Sequence, residues 1–143
     1  CLVSTATHSI NELVESFELL GDWESRFAYL IDLGKGLSSL DVVDQCEENL
    51  VHGCQAQVWL KLEPAEDGRI NIVADSDAFI VKGLIVVLLA IYSGKTAEEI
   101  LAIDGQAQLD RLQLASHLSP TRKNGLYAMV QRVRELAELE EAI

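Results

Sequence analysis

The run Gln57-Val58-Trp59-Leu60-Lys61-Leu62-Glu63 sets apolar Val58, Leu60 and Leu62 against Gln57, Trp59, Lys61 and Glu63, and Arg69 to Ala74 repeats the period with Ile70 and Ile72. A period of two belongs to strands, whose successive side chains point to opposite faces. The acidic Pro64–Gly68 segment between the runs carries both turn residues, so the stretch reads as a β-hairpin. Ser76, Asp77 and the apolar run Ala78 to Tyr92 follow. That run is too long for a strand and predicts a helix buried nearly all round, capped by the Asp75–Asp77 group and stopped by Ser93-Gly94.

On the N-terminal side, Ile10, Leu13, Val14 and Phe17 recur at helical spacing, and Ser9 with Glu12 forms a capping box, which predicts a helix over residues 10–19. Asp22 is placed to cap a second helix whose face is Trp23, Phe27, Leu30, Ile31 and Gly34 and which closes near Gly36. Ser38 to Asn49 is polar, acidic and non-periodic, a loop reaching a short extended piece at Leu50-Val51. On the C-terminal side, Thr96 and Glu99 form a capping box for a short helix to Ile103. A further helix runs from about Gln106 to Leu114, and Ser119-Pro120 opens a last one from Thr121 to about Leu139. Helices, then strands, then helices predict an α+β fold, a small antiparallel sheet packed against helices. Residues 9–143 read as one domain and residues 1–8 as a flexible leader; with Cys1 in place of an initiator Met, the numbering fits a start inside a longer product or after a tag remnant.

The 143 residues carry 23 acids against 11 Lys plus Arg, a net charge of −12, with 49% hydrophobic residues. That apolar share excludes intrinsic disorder, and the charge argues against nucleic acid, whose phosphates must be met by Lys and Arg. Residues 1–60 hold ten acids against only Arg26 and Lys35, a net of −8, so a partner docking on the first half is expected to be basic. The longest run without a charge or glycine in the apolar stretch, Leu84 to Tyr92, is nine residues. A bilayer span needs ~20. Cys1, Cys46 and Cys54 are an odd count with no C-x-x-C pair, which does not fit a disulfide framework and places the chain in a reducing cytosol.

Cys54 is the residue most open to chemistry. It follows Gly53, joins a polar loop to a strand, and is flanked by His52, Gln55 and Gln57 rather than aliphatics. Spacing alone leaves two readings: a reachable, reactive thiol on a loop tip, or a small hydrophobe packed in the core. Cys46 lies in Asp44-Gln45-Cys46-Glu47-Glu48, where acids disfavour a thiolate. Cys46, His52 and Cys54, with His117 as a distant fourth candidate, lack the C-x-x-C or H-x-x-x-H unit of a zinc or iron–sulfur site, so no resident metal or cofactor is expected. A Cys54–His117 hydrolase pair is weighed against a structural His117, and Gly34-Lys35-Gly36 lacks the strand and helix of a nucleotide loop. Lys82 is expected to snorkel or to pair with Asp75 or Asp77.

The string Gly53-Cys54-Gln55-Ala56-Gln57-Val58-Trp59, then Asp75-Ser76-Asp77-Ala78, Ile80-Val81-Lys82-Gly83-Leu84 and Leu118-Ser119-Pro120-Thr121-Arg122 with Gly125-Leu126, resembles SufE and its relative CsdE from Trp23-Glu24 through the last helix. The resemblance implies an α+β fold shared with IscU-type iron–sulfur scaffolds. It further implies a sulfur acceptor and activator for a pyridoxal-phosphate cysteine desulfurase of the SufS or CsdA kind, a transfer partner rather than a stand-alone enzyme. In that family the cysteine of the G-C-Q string, here Cys54, takes the persulfide sulfur and passes it to a cluster scaffold. The runner-up is a non-covalent adaptor of the same pathway, and whether the free chain pairs as a homodimer is left open. Cys46 has no counterpart in the family pattern, and Val51-His52 stands where relatives vary.

No Lys or Arg adjoins Cys54 in sequence, so the isolated chain is expected to keep it sheltered and poorly reactive until a desulfurase extends the loop Asn49–Gln55. Gln55 and Gln57 are expected to fix or cover that loop. Asp75, Ser76 and Asp77 are expected to cap the buried helix, with one of them also lining the Cys54 cavity or contacting the partner. Arg122 and Lys123 make a basic spot at a helix start, where the dipole disfavours cations, which points to an acid partner or a docking contact. Trp59 reads as packed against a helix, with exposure for docking as the alternative.

Overall fold

In the computed structural model, which describes residues 10–36, 45, 47–51, 57–64 and 68–142, the hairpin forms as its alternation requires. Strand β1, Val58–Pro64, pairs antiparallel with β2, Arg69–Ser76, with Val58 opposite Ser76 and Leu62 opposite Ile72. Val58, Leu60, Ile70, Ile72 and Ala74 therefore share one face, and all five are buried. Strand β3, Lys95–Thr96, adds to the other side of β2 and gives the order β1-β2-β3. The sequence reading lacks this strand because two residues carry no alternation. What places it is Gly94, at φ +79°, whose N–H donates to Ile70 O at 2.8 Å and turns the chain out of the preceding helix back onto β2.

That helix, α3 (Phe79–Tyr92), buries Val81 and every residue from Gly83 to Tyr92 and is the centre of the core. Its capping differs from expectation. The N-cap residue is Ala78, with no side-chain cap bond; Ser76 Oγ accepts from Ala78 N at 3.2 Å, while Asp75 accepts from Ser76 N and Asp77 from Gln57 N. The reason is that β2 runs through Ser76, so Asp75 is still a strand residue, while Asp77 serves the start of β1.

Helix α1 is Ile10–Leu20, and α2 is Trp23–Lys35, capped by Asp22, which accepts from Ser25 N at 3.1 Å. Helices α2 and α3 cross backbone to backbone through Gly34 and Gly83. Helix α4, Ala97–Ala102, opens on the expected box: Glu99 N donates to Thr96 Oγ1 at 3.1 Å and Thr96 N donates to Glu99 Oε1 at 3.0 Å. The bond from Thr96 N first, and then one from the Thr96 hydroxyl, hold the Glu99 carboxyl below its ordinary 4.5. The support it gives α4 is full above pH 4.5 and is lost as pH falls through the lower folded value. Thr96→Ala is expected to cost about 1 kcal/mol, read as a lower thermal midpoint.

Helices α5, Gly105–Leu112, and α6, Pro120–Ala142, complete the fold. Leu126, Met129, Val133 and Ala137 form the buried stripe of α6 at helical spacing. Helices around a three-stranded antiparallel sheet make the chain α+β.

Candidate functional site

His52, Gly53, Cys54 and Gln55 lie outside the described residues, as do Cys1 and Cys46. The structure describes instead both ends of the segment that carries Cys54. On the entering side, Leu50 bridges antiparallel to Trp59, and buried Val51 donates its N–H to Val58 O at 2.7 Å. On the leaving side, Gln57 N donates to Asp77 Oδ1 at 3.1 Å, and Asp77 N donates to Gln57 O at 3.3 Å. Residues 52–56 therefore span two points fixed side by side at the start of β1.

Asp75 is 5% exposed, sits opposite Trp59 in the β1–β2 register, and receives the Lys82 ammonium at 3.5 Å. The pairing expected of Lys82 is thus with Asp75. A buried carboxylate that loses a cationic partner keeps its desolvation cost without the compensation. Lys82 is itself about one-fifth exposed, so water can take over part of the role. Lys82→Met is expected to cost about 1–2 kcal/mol, and Asp75→Asn in the same chain to recover part of it, as a double-mutant cycle of urea midpoints would show.

Arg122 stands exposed in the first turn of α6, where its N–H donates to Ser119 Oγ at 3.3 Å. Among the described residues it has no ion pair and no bond to Gln57, Asp75 or Asp77. His117 stacks on Trp23 with ring centroids 3.9 Å apart, and Arg26 lies 4.9 Å from the Trp23 ring. His117 is exposed, with its ring laid against Trp23.

Sequence reasoning missed the α6 residues that share a groove with Leu50 and Val51. A groove of about 410 Å³ lies between Leu50 and Val51 on one side and Ala128, Gln131, Arg132 and Glu135 on the other. Arg132 and Glu135 are 3.5 Å apart across one turn. Their spacing is that of any solvated helix face, so only the tertiary approach of Leu50-Val51 distinguishes them. Among the described residues no three His, Cys, Asp or Glu side chains gather as a metal set, and no helix is long and apolar enough to cross a membrane.

The family described as "SufE: Fe-S metabolism associated domain" matches residues 11–137. The chain belongs to the SufE family. An uncharacterised SufE-like protein of Rhizobium meliloti (strain 1021) is 41% identical over 133 residues, covering 91% of this chain and 95% of the relative. One from Rhizobium etli is 42% identical over 137 residues, covering 94% and 93%. The solution structure of a hypothetical protein from Thermus thermophilus superposes with a TM-score of 0.74 over 94% of this chain and 96% of that one. At 20% identity that likeness speaks for the fold alone. SufE membership associates the chain with iron–sulfur metabolism.

Proposed function

We propose that this SufE-family chain accepts sulfur from a pyridoxal-phosphate cysteine desulfurase, activates that enzyme by doing so, and passes the sulfur on for iron–sulfur cluster assembly in a reducing cytosol. The supporting observation is the family match over residues 11–137, which contains the Gly53-Cys54-Gln55 string. The anchored ends at Val51 and Gln57 support the placing of the acceptor at Cys54.

The Cys54 thiolate attacks the outer sulfur of the donor's Cys–S–S–H. A new S–S bond forms at Cys54 Sγ, the donor's own S–S bond breaks, and the donor cysteine leaves as a thiolate. The sulfane sulfur changes owner with its hydrogen, so no external oxidant or reductant is needed. The pyridoxal phosphate belongs to the donor. His52, Gly53, Gln55, Gln57, Asp75, Asp77 and Arg122 are assigned supporting roles around the loop in this reading, with Gln57 and Asp77 pinning its end.

The test incubates the chain with the desulfurase and cysteine and maps the product by mass. The expected result is one added sulfur atom on the peptide holding Cys54, with alkylation of Cys54 by a small electrophile faster in the complex than alone. A chain that binds the desulfurase while Cys54 stays unmodified is an adaptor, and the proposal falls.

A further inference from the structure

Among the described residues the exposed large apolar side chains are Leu19, Leu20, Phe79 and Leu139, and Phe79 is the aromatic one, at 59% exposure. Its place in the chain is specific. Phe79 opens α3 two residues after Asp77, whose carboxylate and N–H both bond Gln57 at the end of the Cys54 segment. The Lys82 ammonium lies 5.7 Å from the Phe79 ring centroid and 3.5 Å from Asp75. Those two contacts in series tie the ring to the strand residue facing Trp59. A ring already held in place loses little freedom when a partner covers it.

We propose that Phe79 is the apolar anchor by which the cysteine desulfurase grips this chain, with the exposed Asp77 beside it meeting a basic group on the same partner. The inference rests on the sulfur-acceptor reading, because transfer brings the donor's sulfur into bonding contact with Cys54. A stable interface covers roughly 800 Å² on each side, a disc roughly 16 Å in radius. Three residues of extended chain reach about 11 Å, so a donor seated on Cys54 also covers Gln57. The segment bonded to Gln57 then presents Phe79 to the donor, and desolvated aromatics carry a large share of interface affinity. The chain's charge of −12 fits a basic partner surface.

The test measures the dissociation constant of the complex with the desulfurase that loads Cys54, using full-length Phe79→Ala and, as control, full-length Leu19→Ala. Leu19 is 88% exposed, but it precedes the start of α2, at the other end of that helix from Gly34, which meets Lys82 and Gly83. Phe79→Ala is expected to weaken binding about tenfold while thermal midpoints stay within about 2 °C and Leu19→Ala binds as the wild type does. A loss smaller than about fivefold, or an equal loss in Leu19→Ala, overturns the proposal. A wild-type chain that loads sulfur on Cys54 beside a Phe79→Ala chain that binds as tightly overturns this inference alone. A wild-type chain that forms no complex overturns it together with the acceptor reading.

Discussion

Cys54→Ser is expected to take up no sulfur from a loaded desulfurase, where the wild type gains one sulfur atom per chain. The attacking species in the transfer is a thiolate, and serine offers only a hydroxyl whose ionised form is negligible at neutral pH. Rate also follows intrinsic nucleophilicity toward a disulfide-type sulfur, which favours sulfur over oxygen. The substitution removes no hydrogen bond at the anchored ends, since those run through Val51, Gln57, Val58 and Asp77. The stem of the loop, and with it docking, should persist. Cys1 and Cys46 remain in the variant and serve as internal controls. Cys46 adjoins Glu47 and Glu48, whose charge opposes a thiolate. Intact mass after incubation with desulfurase and cysteine reads the outcome. Uptake equal to the wild type would mean that another thiol is the acceptor. Uptake absent from the variant, with complex formation retained, separates transfer from adhesion.

What the sequence could disclose follows the range of the interactions concerned. The hairpin and α3 were legible because alternation in Val58, Leu60, Leu62 and unbroken apolarity in Leu84 to Tyr92 are local signals of burial. The capping box at Thr96 and Glu99 was legible for the same reason, since both bonds close within four residues. Strand β3 was not, because its pairing with Arg69 and Ile70 depends on a turn at Gly94. Asp75, Ser76 and Asp77 do not act as one capping group. Each carboxylate answers to a different backbone group, Ser76 N for Asp75 and Gln57 N for Asp77, and the second of these is 20 residues away. Sequence could name Cys54 and Gln57 as candidates. It could not show that the segment's two ends meet, nor that α6 supplies Arg132 and Glu135 to the neighbouring groove. Gly34 was read as part of a helix face near its end and Lys82 as snorkelling or pairing with Asp75 or Asp77, yet the close approach of Gly34 to Lys82-Gly83 is visible only where α2 crosses α3.

That crossing carries the largest expected effect on stability. Helix propensity alone predicts that Gly83→Ala, inside α3, stabilises the protein by up to about 1 kcal/mol. The surroundings predict the opposite. A Cβ on Gly83 would lie 2.5 Å from Leu30 O and 2.8 Å from Leu30 C, and one on Gly34 would lie 2.7 Å from Gly83 N. These neighbours are backbone atoms, which cannot rotate aside as a side chain can, so the two helices must separate. Separation opens the contact all along α3, whose burial is the centre of the core. Overpacking of this kind costs typically 1–3 kcal/mol and occasionally more, and an unyielding backbone partner puts this site at the upper end. A net loss of roughly 2–4 kcal/mol is expected after the propensity gain. In thermal terms that is a midpoint lower by on the order of 10 °C. Gly36→Ala is the matched control. It follows the same helix α2, its added Cβ would meet only Leu33 O, at an ordinary 3.5 Å, and its change should stay within about 1 kcal/mol. Thermal or urea unfolding of the two variants side by side decides between propensity and packing. A Gly83→Ala chain as stable as the wild type would mean that the helices slide apart without loss, and that the glycines do not set the distance between α2 and α3.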